Sequence, residues 1–144
     1  GENAPSPPFS KGGLGDVPLL HAYLSSWHNA LFEANRNLDQ AFDTKRCVIW
    51  GGGMHTEFLY HTTPFFHSGM EREYIIVDGD RLKQGRSWRG IRIYETSALS
   101  EVDWSGARLL ISSYGSQDDM VAAALGMNVP RERIIRLYDE VRVY

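Results

Sequence analysis

Residues 47–58 read CVIWGGGMHTEF, a short apolar run, then three glycines, then a stretch of helical composition. Glycines between a strand and a helix suit phosphate binding. With no Cβ the chain turns tightly, and backbone N–H groups at the positive end of the helix approach a diphosphate. In the spacing G-x-G-x-x-G, Gly51 and Gly53 take the first two places and Thr56 the third. The helix behind them must therefore pack less closely on the strand or start differently. Asp78 ends the run REYIIVD at 72–78, where an acid accepts hydrogen bonds from ribose hydroxyls. Its distance from Gly51 exceeds the usual spacing of about 20 residues, which a long intervening helix and a turn at Gly69 accommodate. Ser112, Ser113, Tyr114 and Gly115 follow a further apolar run, LLI at 109–111. Their hydroxyls can hold a ribose, phosphate or substrate oxygen, or else the serines finish strand hydrogen bonding and Gly115 turns the chain.

His55 has two readings: a donor to phosphate or carbonyl in a cleft, or a helix N-terminal residue bonded to backbone. The run RLKQGRSWRGIR carries Arg81, Lys83, Arg86, Arg89 and Arg92. It is a solvated loop, or it meets an adenosine 2′-phosphate or a CoA 3′-phosphate with guanidinium forks. Asp78 would repel a 2′-phosphate, which favours NAD or a nucleotide sugar over NADP. No serine–histidine–acid triad, cysteine–histidine pair or carboxylate dyad can be assigned from spacing, so no catalytic residue is named. DGD at 78–80 lacks the further ligands a cation needs, and no metal is expected. Cys47 is the only cysteine, which excludes an internal disulfide, and a small buried hydrophobe on a strand is its expected role.

The elements that must position these residues follow from periodicity. Residues 1–16, GENAPSPPFSKGGLGD, hold three prolines and four glycines and read as an extended leader. From Asp16, an N-cap candidate with Pro18 in the first turn, Leu20, Leu24, Trp27, Leu31, Ala34, Leu38 and Ala41 recur at steps of four and three. That stripe predicts a long amphipathic helix over 17–45, whole or broken near Asn35 to Asn37. It lies on the domain's own core or pairs with its twin in a homodimer through 17–44. Strands are predicted at 47–50, 72–78, 90–95, 107–114 and 132–139. Helices are predicted after Gly53, ending near Pro64, and over SQDDMVAAALGMN, capped by Ser116 and closed by Gly126. Strand–crossover–strand repetition predicts an α/β fold. We expect a three-layer domain over 46–144 with a parallel sheet of strand order 3-2-1-4-5.

The 144 residues carry a formal net charge of −3, which offers no basic face to nucleic acid. With no signal peptide and no apolar run of membrane-spanning length, the expectation is a cytoplasmic protein without a membrane partner. Because the sequence opens on Gly1 rather than Met, a tag remnant or an excised fragment is expected.

GGGMHT after the first strand, IIVDGDRLKQG at the second, WRGIRIY beyond it and LLISSYGSQ at the fourth together resemble a known group. They are similar to the Rossmann-like nucleotide-binding domains of carbohydrate-modifying enzymes, such as sugar acyltransferases and sugar C-methyltransferases. The likeness spans roughly residues 46–139. It implies a dinucleotide or sugar-nucleotide ligand. Gly51, Gly52, Gly53, His55 and Thr56 would lie at the phosphates, Asp78 at the ribose, and Ser112, Ser113, Tyr114 and Gly115 on the facing wall. In the acyltransferases a Gly-Gly-His turn is common, and here Met54 separates Gly53 from His55. The acyltransferase left-handed helical repeat and a methyltransferase motif are both missing. Two functions are therefore expected: a nucleotide-binding module, or a non-catalytic assembly module on the same scaffold.

Overall fold

The computed structural model describes residues 17–42, 44–67 and 71–139. The leader, the Asp16 cap and the Gly69 turn lie outside them. The described chain is mixed α/β, with a six-stranded, mostly parallel sheet behind an N-terminal helix.

The strands are β1 (Arg46–Trp50), β2 (Glu73–Val77), β3 (Ser87–Trp88), β4 (Ile91–Tyr94), β5 (Ala107–Ile111) and β6 (Ile134–Arg136), in the order β3-β4-β2-β1-β5-β6. The expected order 3-2-1-4-5 is corrected by β3, which lengthens one edge. Ser87 and Trp88 pair antiparallel with Arg92 and Ile91 across a two-residue turn. Both turn residues have left-handed backbone, Arg89 at φ 48° and Gly90 at φ 82°. That geometry matches the twist of a hairpin.

Buried on both faces, the central strands read as continuous apolar runs. Alternate residues feed two cores. Cys47, Ile49, Ile76 and Leu110 point to one face, and Val48, Val77, Leu109 and Ile111 to the other. The helices α1 (Val17–Leu38) and α2 (Met54–Thr62) cover the first face, and α3 (Gln117–Gly126) the second.

Helix α1 runs without a break through Asn35–Asn37 but stops at Leu38, short of residue 45, and a 3-10 turn, Asp39–Ala41, carries the stripe to its end. Ala30, Ala34, Leu38 and Ala41 are buried, while Leu19, Leu20 and Leu24 nearer the N-terminus are exposed. Asn37 and Arg36 hold the C-terminal half, through Leu137 O at 2.9 Å and Asp139 at 2.6 Å.

Helix α3 is closed by Asn128, not by Gly126. Asn128 has φ 65°, its N–H reaches Leu125 O at 3.1 Å, and the Val129 N–H reaches Ala124 O at 3.1 Å. This is the paired bonding of a Schellman cap with asparagine in the left-handed position. Ser116 stands at the N-cap, but its side chain makes no capping bond.

Candidate functional site

Neighbouring β1 on its two sides, β2 and β5 place their carboxyl ends around one crevice, where ligands of open parallel sheets bind. A cleft of about 210 Å³ opens there. Gly51, Gly53, His55, Asp78, Ser112 and Ser113 of the expected residues line it, together with Trp50, Met54, Lys83, Ser116 and Met120. Gly52, Thr56 and Tyr114 lie behind this lining, and exposed Gly115 is not part of it.

The three glycines do different things. Gly51 has φ 127°, and a Cβ there would stand 2.8 Å from the Ser112 carbonyl oxygen. A Cβ on Gly52 would strike the Ile93 side chain at 2.7 Å. Both are needed by the turn itself. Gly53, at the N-cap of α2, faces the cleft, and a Cβ there would meet only the Lys83 ammonium, at 2.7 Å.

Asp78 holds this loop to the sheet. One carboxylate oxygen accepts the Gly52 N–H at 2.8 Å, and the other accepts the Asp80 N–H at 2.8 Å. Lys83 Nζ lies 3.8 Å away. A carboxylate has about four acceptor positions, so lone pairs remain for a ligand hydroxyl.

Behind the glycines runs a buried chain of hydrogen bonds whose directions can be assigned. The Thr56 hydroxyl must donate to Gly51 O, because a carbonyl only accepts. Ser112 Oγ, 2.7 Å from Thr56 Oγ1, must then supply the proton between them. With that proton spent, Ser112 accepts from His55 Nδ1 at 2.9 Å. Nε2 is left to accept from Tyr138 OH, 2.6 Å away. Every proton thus points from Tyr138 toward the Gly51 carbonyl.

Burial holds His55 neutral, with its pKa pushed down from 6.5 to about 4, and burial raises the Tyr138 phenol. Serine beside histidine offers a nucleophile and a base, but the assigned tautomer turns the imidazole lone pair away from Ser112. Activation of Ser112 would require reversing the whole chain.

Sequence reasoning missed Tyr138 as a partner of His55. It is held by Gln117, whose amide donates to Tyr138 O at 2.6 Å and whose Oε1 accepts the Tyr138 N–H at 3.3 Å. No local pattern marks that pairing. The basic run scatters: Arg89 forks onto Glu57 at 3.0 and 2.8 Å, Arg81, Arg86 and Arg92 are exposed, and Lys83 alone of the five reaches the cleft. The two aspartates of DGD, which set up Lys83's turn, were the available signal.

Among the described residues, no group of three or more His, Cys, Asp or Glu could hold a metal ion, and no helix is long and apolar enough to cross a membrane. Cys47 is fully buried, and burial pushes its thiol up to about 12. No protein-family model matches the chain, and no curated protein matches it.

Proposed function

We propose that the chain binds a nucleotide-containing ligand, a dinucleotide such as NAD or a sugar nucleotide, as a Rossmann-like module of carbohydrate-modifying metabolism. The phosphates lie over Gly53 at the start of α2, the ribose hydroxyls bond to Asp78, and Ser112 and Ser113 form the facing wall. One observation carries this reading: the cleft at the carboxyl ends of β1, β2 and β5 joins a glycine whose close neighbour there is the end of the Lys83 side chain, a helix N-terminus and a strand-end acid. The test is a thermal-shift panel of NAD, NADP, CoA, S-adenosylmethionine and UDP-, GDP- and dTDP-sugars. A ligand at ~100 times its dissociation constant stabilises the native state by about 2.7 kcal/mol, a rise of several degrees. A shift with NAD or one sugar-nucleotide class is the expected result, and no shift with any compound refutes it.

A second reading, an assembly module, is favoured by one feature. Helix α1 has no Asp, Glu, Lys or Arg from Val17 to Phe32, and Leu24 and Phe32 are 56% and 66% exposed. Such a face is suited to a second copy of the helix.

A further inference from the structure

Five basic side chains occur between positions 81 and 92, and the turn after β2 aims one of them, Lys83, into the cleft. Two carboxylates shape that turn. Asp78 accepts the Asp80 N–H at 2.8 Å, and Asp80 accepts the Leu82 N–H at 2.9 Å. The Lys83 N–H closes on Asp80 O at 3.0 Å, and the Gln84 amide donates to Asp78 O at 3.0 Å. Held this way, Leu82 stands 77% exposed while its neighbour Lys83 folds inward, its side chain 29% exposed.

The Lys83 ammonium is not anchored by hydrogen bonds to the described residues. Its one ionic contact among them is Asp78, at 3.8 Å, although an ammonium has three protons to donate. It stands 2.7 Å from where a Cβ on Gly53 would lie, directly over the glycine that opens α2. Of the groups lining the cleft, Asp78 is the one carboxylate, and Lys83 offsets its charge. The acid in the first turn of α2, Glu57, lies outside the cleft lining and is engaged by Arg89, so the N–H groups at the start of the helix still favour an anion.

We infer that Lys83 is a displaceable counter-ion for a diphosphate: in the free protein it occupies the space over Gly53, and on binding it swings onto the phosphate oxygens. The inference rests on the phosphate reading of the cleft and extends it to a residue and a ligand charge. A diphosphate spans the α2 N-terminus and the ammonium together. An uncharged nucleoside leaves Lys83 on Asp78 and gains nothing from it. A sulfonium-bearing ligand is repelled.

The experiment is calorimetric titration of the protein with inorganic pyrophosphate, using the parent, Lys83→Met, Lys83→Arg and Gly53→Ala. Methionine keeps the length of the stem and removes the charge, and the unchanged melting temperature expected of it shows that the fold is retained. Pyrophosphate binding should weaken at least about tenfold in Lys83→Met, as expected for loss of a charge-assisted contact. It should stay within about threefold in Lys83→Arg. Gly53→Ala puts a methyl group 2.7 Å from where the ammonium stands, in the space the phosphate needs, and should also weaken binding. A variant combining Lys83→Met and Gly53→Ala should be no weaker than the worse single one, because both changes remove the same arrangement. Failure of the parent to bind pyrophosphate, or equal affinity in Lys83→Met, overturns the inference. The nucleotide reading fails separately if pyrophosphate binds in a Lys83-dependent way but no nucleoside diphosphate binds more tightly than pyrophosphate itself.

Discussion

Replacing His55 with glutamine removes a half-buried imidazole whose charge state is tied to the fold. The native pKa is held near 4 by burial, against an ordinary 6.5. Between those values the unfolded chain carries a proton at this position and the native chain does not. The native pKa is the depressed one, so its contribution to stability is present above about pH 6.5 and drains as the pH falls toward 4. At 1.36 kcal/mol per pKa unit the whole effect is about 3 kcal/mol, most of which is lost between about pH 7 and pH 4.5. The hydrogen-bond chain acts in the same direction. A proton added to Nε2 would face the Tyr138 hydroxyl proton across 2.6 Å. Glu57, whose carboxyl is held at about 2 chiefly by Arg89, titrates below this window and does not blur it. The assay is urea unfolding followed by tryptophan fluorescence at a series of pH values, comparing the parent with His55→Gln. The parent is expected to lose about 2–3 kcal/mol more than the variant across that range. Stability curves that fall in parallel would show that His55 titrates normally, and the neutral imidazole would be refuted.

Gly51→Ala should destabilise the protein by about 2–4 kcal/mol in the same assay, since its φ of 127° is strained for alanine and its Cβ would sit 2.8 Å from a backbone oxygen. A loss below about 1 kcal/mol would mean that the turn relaxes freely. If α1 pairs with a second copy, Leu24→Asp should convert a dimeric parent to monomer in sedimentation at unchanged fold. A monomeric parent removes the assembly reading.

The parts of the fold that sequence reveals are those that local physics decides. β1 and β5 are apolar because both their faces are buried, and CVIW and ARLLI announce that without help from the rest of the chain. The stripe of α1 is legible for the same reason, although its helical end is not, since Ala41 is buried in a 3-10 turn as readily as in an α-helix. β3 was hidden because two residues make no pattern and Arg-Gly is not a strong hairpin signal. The positive φ at both Arg89 and Gly90 reveals the turn. In the site, glycines and a strand-end acid could be named, but which glycine faces the cleft depends on Ser112 and Ile93, which approach from distant strands. Tyr138 and His55 meet across 83 positions of sequence, a contact that neither residue's neighbours encode.

That distant contact also joins the cleft to α1. The segment Leu137–Asp139 holds the helix through Asn37 at 2.9 Å, Arg36 at 2.6 Å and Glu33, which accepts the Asp139 N–H at 3.2 Å. Tyr138, in the middle of that segment, sends its hydroxyl to His55, and its ring packs 4.7 Å from Tyr114. Tyr114 in turn lies 6.3 Å from Trp27 of α1. A shift of α1 therefore bears on Tyr138 both through its backbone and through its ring. Tyr138 has one proton to give, and losing the His55 acceptor would leave its hydroxyl buried and unpaired, at about 1–3 kcal/mol. The C-terminal half of α1 and the Ser112 wall of the cleft consequently hold their positions together, a constraint that among the described residues does not extend to the exposed N-terminal turns of the helix.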